Sequence, residues 1–192
     1  MKLIALALGT VVLGSVVLVS ELAGAARPAT SPSAPSAAAF KEITWDALVP
    51  KEWDPLKPYR AMNLDMLNDS NPKVLQMMRD MRATWDNAPT VAAMDGAAVK
   101  LPGYVVPLEE VKGELKEFLL VPYFGACVHT PPPPANQIIH VVAAQPFKGF
   151  RSMDAVWVSG TLKTVRQNSV MGMSGYRMDA VVVDRYVPPV RR

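Results

Sequence analysis

The chain has 192 residues, 50% hydrophobic and 19% charged, with 20 basic against 17 acidic side chains. That length allows one domain with or without a tail, and the hydrophobic content excludes a wholly disordered chain. A net charge of +3 is too small for a dedicated nucleic-acid binder, and one cysteine excludes an internal disulfide framework.

In chain order, the first segment reads as a leader. Lys2 supplies a positive start, Leu3 to Val19 is uncharged and mainly apolar, and Ala23-Gly24-Ala25 suits signal peptidase. A Sec signal peptide over 1–25 is expected, with an uncut membrane anchor as the alternative. Glu21, Gly14 and Gly24 weaken a stable span, and no cysteine stands here to carry a lipid. Either way the body is expected in a bacterial periplasm or just outside the inner membrane. Residues 26–39 form a Pro/Ser/Ala tether with no periodic apolar pattern, so the single folded domain is expected over 40–192.

Residues 40–94 read as a helical lead-in. Asn71-Pro72 has the form of an N-cap followed by proline at the first helical position. Val74, Leu75, Met78, Met81 and Trp85 then recur at helical spacing, and Met77, Met78 and Met81 suit core packing. Asn87-Ala88-Pro89 ends the helix.

From Asp95-Gly96 to Tyr186 the pattern changes to strands divided by turn residues: 97–101, 104–108, 114–121, 137–143, 155–162 and 177–186. Val156, Val158 and Gly160 alternate with Trp157, Ser159 and Thr161, the two-residue period of a half-buried strand. The expected fold is mainly β with an N-terminal helical segment (α+β), a small OB-like antiparallel barrel.

Cys127, His129 and His140 are the chain's entire complement of cysteine and histidine, and all fall within 127–140. In an extended segment residues two apart point the same way, so Cys127 and His129 can present sulfur and imidazole together. Pro131 to Pro134 follow as a stiff arm, and the chain must turn near Ala135-Asn136 before a strand carries His140. A thiolate with one or two imidazoles suits zinc or copper(I), and Asp95, Glu109 or Glu110 are candidates to complete a zinc site. The plainer alternative makes Cys127 a small buried hydrophobe and His140 a satisfied core histidine. A third makes Cys127 a nucleophile activated by histidine and oriented by Asn136. Met171-Gly172-Met173 and Met178 add thioethers that can hold copper(I), against a plain glycine-rich loop with apolar contacts.

The residues 101–108 (LPGYVVPL), 118–137 (FLLVPYFGACVHTPPPPANQ) and 156–162 (VWVSGTL) form a distinctive series. With the upstream 45–50 (WDALVP), the chain from about Ile43 to Tyr186 resembles the domain-of-unknown-function family numbered 3299, exported bacterial proteins. The resemblance implies zinc or copper handling beside metal-responsive ABC-transporter genes.

Three functions are thus expected as rivals. The first is a periplasmic metal-binding accessory with Cys127, His129 and His140 as ligands, serving an inner-membrane ABC transporter or another exported protein. The second is a metal-free docking module built on Tyr123-Phe124 and the Pro131–Pro134 ridge. The third is the thiol enzyme. Nucleic acid is excluded as a partner, because no basic stripe with interleaved aromatics is present and the compartment is wrong.

Overall fold

The computed structural model describes residues 40–60, 71–127 and 132–187. The leader and tether expected at 1–39, together with His129 and Pro131, lie outside the described residues. All described residues belong to one compact unit, and no described helix is long and apolar enough to cross a membrane.

Eight strands are described: β1 (Lys41–Glu42), β2 (Ala98–Val111), β3 (Glu114–Val121), β4 (Ile139–Phe147), β5 (Ala155–Lys163), β6 (Gln167–Ser169), β7 (Gly172–Ser174) and β8 (Tyr176–Arg185). Five of them close a barrel in the order β2–β3–β4–β8–β5, with β5 returning to β2. All pairings in the ring are antiparallel except β4 with β8. This order of the first, second, third, fifth and fourth strands, with its single parallel contact, is the Greek-key arrangement of the expected OB-like barrel.

Closure depends on β2, which the sequence reading divided in two at Pro102-Gly103. It runs on because its first half pairs with β5 and its second half, from Tyr104, pairs with β3. Pro102 therefore lies beyond the β3 ladder, where its missing N–H leaves no gap. Gly103 permits the crossover: a Cβ there would stand 2.8 Å from both Leu120 and the Val121 carbonyl. Lys112 and Gly113, both at positive φ (54° and 77°), form the two-residue turn into β3. At Lys116 two residues of β3 oppose one step of β2, a bulge that lets Leu115 and Phe118 both face inward.

The barrel interior is closed by Phe118, Leu120, Ile139, Val158, Leu162 and Tyr176, all fully buried. The lead-in is tied to it by Tyr176, whose hydroxyl donates to the Leu48 carbonyl at 2.8 Å and accepts from the Val91 N–H at 2.7 Å. Trp45 adds an indole N–H to the Pro102 carbonyl at 2.7 Å, beside the short parallel pairing of β1 with β2.

The predicted helix is α1 (Pro72–Asp86), capped by the Asn71 side chain, which accepts from the Lys73 N–H. Its apolar stripe is only partly covered. Val74 is buried, Met77, Met81 and Trp85 are half-buried, and Leu75 and Met78 are exposed. The methionines therefore do not all pack into a core as the spacing suggested: α1 lies along the barrel surface beside β7. The β6–β7 hairpin was not foreseen, because strands of three residues carry too little periodicity to register.

Candidate functional site

The strands that fill the barrel with one face carry a second apolar cluster on the other. Val106, Leu119, Val121, Ala126 and Ile138 form it, with Cys127 and Met171 packed against its edge. Cys127 is reached through Gly125 (φ 84°) and itself adopts a left-handed backbone (φ 65°). For a residue with a Cβ that conformation costs roughly 1 kcal/mol or more, a strain that packing on both sides must hold.

The thiol is half-buried and lines an open cleft of about 540 Å³. Three pieces of chain wall it: Arg82 and Asp86 from α1, Pro132 from the proline arm, and residues 168–173 from the β6–β7 hairpin. Arg82 grips Asp86 through Nη2 and Nε, at 2.8 and 3.1 Å, and donates from Nη1 to the Pro132 carbonyl at 3.4 Å. Gly172 lets the hairpin close on the arm, since at φ 138° its Cβ position lies 3.0 Å from Pro132.

Burial pushes the Cys127 thiol up from 9.0 to about 11, with the nearby Arg82 charge pulling weakly the other way. The thiol is therefore protonated at neutral pH, the reverse of what an activated nucleophile requires. Alkylation of Cys127 by iodoacetamide is expected to rise about tenfold per pH unit from pH 7 to nearly 11, with no plateau near 9. A plateau near neutrality would show an activated thiol instead. Because folding raises this pKa, the associated stability is present below pH 9 and is lost as pH climbs from 9 through 11.

His140 sits on the same outer face, opposite Leu119, and is almost fully buried. Its Nε2 donates to a Glu117 carboxylate oxygen at 3.0 Å, and its Nδ1 meets the Gln167 side-chain oxygen at 2.5 Å. A carboxylate on one ring nitrogen is the arrangement that commonly orients a metal-bound histidine. Here the other nitrogen is taken by Gln167, so His140 would have to release that contact to ligate. Asn136 is fully buried and donates to the Pro89 carbonyl at 3.0 Å, which spends its amide on tying the loop ahead of β4. Its oxygen has no partner among the described residues.

Of the further carboxylates named from sequence, Asp95 and Glu109 are engaged elsewhere and Glu110 is exposed towards the end of β2. Asp95 accepts from the Thr164 N–H and hydroxyl, and Glu109 pairs with Lys116 at 3.0 Å. Among the described residues no three His, Cys, Asp or Glu side chains converge. The cleft is lined by three sulfur-bearing residues, Cys127, Met171 and Met173, beside the harder donors Asp86, Asn168 and Ser169; the sulfurs are a chemistry that fits a soft ion. Met178 is fully buried inside the barrel, away from them. Tyr123 and Phe124 are exposed, at 45% and 65%, with Phe124 edge-on to Tyr104 at 5.9 Å. The proline arm is no free ridge, for Pro133 is buried and Pro132 and Pro134 are partly so.

Sequence reasoning missed Arg82, Asp86, Glu117 and Gln167. The i, i+4 spacing of Arg82 and Asp86 was a legible helix ion pair. Gln167 left no signal, because its contact with His140 spans 27 residues of chain.

The family model described as "Protein of unknown function (DUF3299)" matches residues 45–185. A crystal structure of a DUF3299 family protein from Pseudomonas aeruginosa PAO1 is similar at 37% identity and a TM-score of 0.61, over 78% of this chain and 98% of that one. A search of curated proteins finds no match. A barrel of this order with a family match over most of its length leaves one conclusion: the chain belongs to the DUF3299 family.

Proposed function

We propose that the protein is an exported, periplasmic metal-binding accessory that holds zinc or copper(I) as cargo for a metal-handling transport system, with Cys127 as the anchoring ligand. His129, two residues on, is the companion ligand, and His140 joins only if Gln167 yields its ring nitrogen. The observation that supports the reading is that the chain's one thiol opens on a cleft, half-buried and held in a strained backbone, instead of being sealed among aliphatic neighbours. A sulfur kept protonated until an ion displaces its proton is stable against adventitious chemistry and still available to metal.

Titration of the purified protein with zinc and with copper(I) tests this. About one equivalent is expected to bind and to shield the thiol from labelling until chelator is added. Cys127→Ser and His129→Ala are each expected to weaken binding about 100-fold or more. Equal affinity in wild type and Cys127→Ser would overturn the reading. The exposed Tyr123 and Phe124 favour a second one, a metal-free docking surface, which gains if neither ion is retained.

A further inference from the structure

We propose that the cleft is a copper(I) site in which the Cys127 thiolate and the thioethers of Met171 and Met173 supply the donors. The inference rests on Cys127 being a ligand and adds what selects the ion. The two methionines flank Gly172 in the hairpin, and the cleft they line is the one Cys127 faces. Met171 also packs with Cys127 on the edge of the outer apolar cluster. Both residues are half-buried.

Two of the harder donors in the same cleft are engaged, and the third, Asn168, offers only a neutral amide. Asp86 is held by Arg82 through both oxygens. The Ser169 hydroxyl donates to the Gly172 carbonyl at 2.8 Å and accepts from the Met171 N–H at 3.3 Å. Zinc draws on thiolate, imidazole and carboxylate, whereas thioethers are ligands for copper(I). The hairpin is also pinned in place: Gly172 rests on Pro132, and the Ser174 hydroxyl donates to the Gln167 carbonyl at 3.2 Å. The methionines thus line the thiol's cleft from a braced element, as a selective site requires. Binding exchanges one proton for one ion: the Cys127 S–H bond breaks, the proton leaves to solvent and a sulfur–copper bond forms. Copper enters and stays as copper(I), so no electron is transferred.

The test is chelator competition on the full protein, anaerobically and with a non-thiol reductant, for copper(I) and for zinc in parallel. Wild type is expected to prefer copper(I), and X-ray absorption at the copper edge to give a shell dominated by sulfur. Met171→Leu/Met173→Leu keeps the apolar volume and is expected to lower copper(I) affinity at least about tenfold while leaving zinc affinity within about twofold. Cys127→Ser is expected to lose both ions. If Cys127→Ser loses copper(I) but the double methionine variant does not, the thioether assignment is overturned and the thiol reading stands. A preference for zinc in wild type likewise overturns the copper(I) assignment alone. No binding of either ion in wild type overturns both.

Discussion

Phe118→Ala is expected to destabilise the protein by about 3–5 kcal/mol. Phe118 is fully buried at the middle of the barrel, paired with Pro107 of β2 on one side and Val141 of β4 on the other. Removing its ring leaves a void whose walls are strands already hydrogen-bonded into a closed ring, so they cannot collapse inward to fill it. A loss of that size is a large share of the roughly 5–15 kcal/mol that keeps a domain folded. The urea midpoint should fall with an unchanged m value, and Phe118→Leu should recover most of the loss. Phe124→Ala, 65% exposed, is the control and should change stability by less than about 0.5 kcal/mol. A loss under about 1 kcal/mol at Phe118 would mean the interior does not close around that ring.

Tyr176→Phe removes a single oxygen and is expected to cost about 2–4 kcal/mol, because two backbone groups depend on it. The hydroxyl serves the Leu48 carbonyl and the Val91 N–H together, on a side chain with no exposure. Phenylalanine fills the same volume, so no cavity confuses the result. What remains is an unpaired acceptor at buried Leu48 and an unpaired donor at partly buried Val91. The loss should appear locally as well as globally: the Val91 amide should exchange with solvent much faster, and Trp45, in the same 3₁₀ turn as Leu48, should change its fluorescence. Equal stability and unchanged exchange would show that the lead-in is held by its apolar contacts alone.

These two residues also mark different limits of what the amino-acid order reveals. Phe118 opens the apolar run FLLV, and β3 is found at the bounds its pattern indicated, Glu114–Val121. Such a run is local and can be read along the chain, whereas the bulge that turns both Leu115 and Phe118 inward appears only in the pairing with β2. Tyr176 lies at the start of β8, and nothing in its neighbourhood announces partners 85 and 128 residues away.

The candidate site divides along the same line. The cysteine and histidines cluster in the chain, and that clustering drew attention to Cys127, His129 and His140 from composition alone. Proximity in sequence did not set what each faces. His140 is carried by β4 to Glu117 and Gln167, whereas Cys127, turned by a left-handed backbone, faces the cleft under the β6–β7 hairpin. Met171 and Met173, far along the chain from Cys127, come to the same cleft because β5 and β8 place the hairpin between them over the proline arm.

By itself the sequence determined the barrel class, the capped helix, the bounds of β3, β5 and β8 to within a residue, the family and the segment richest in metal-binding side chains, because each is written in local periodicity, capping chemistry or contiguous motif. Only the tertiary structure decided that β2 runs unbroken through Pro102-Gly103, that α1 keeps an exposed apolar face, and which sulfurs share a cleft. Those outcomes depend on pairings between residues distant in the chain, whose energies appear only once the ring of strands has closed.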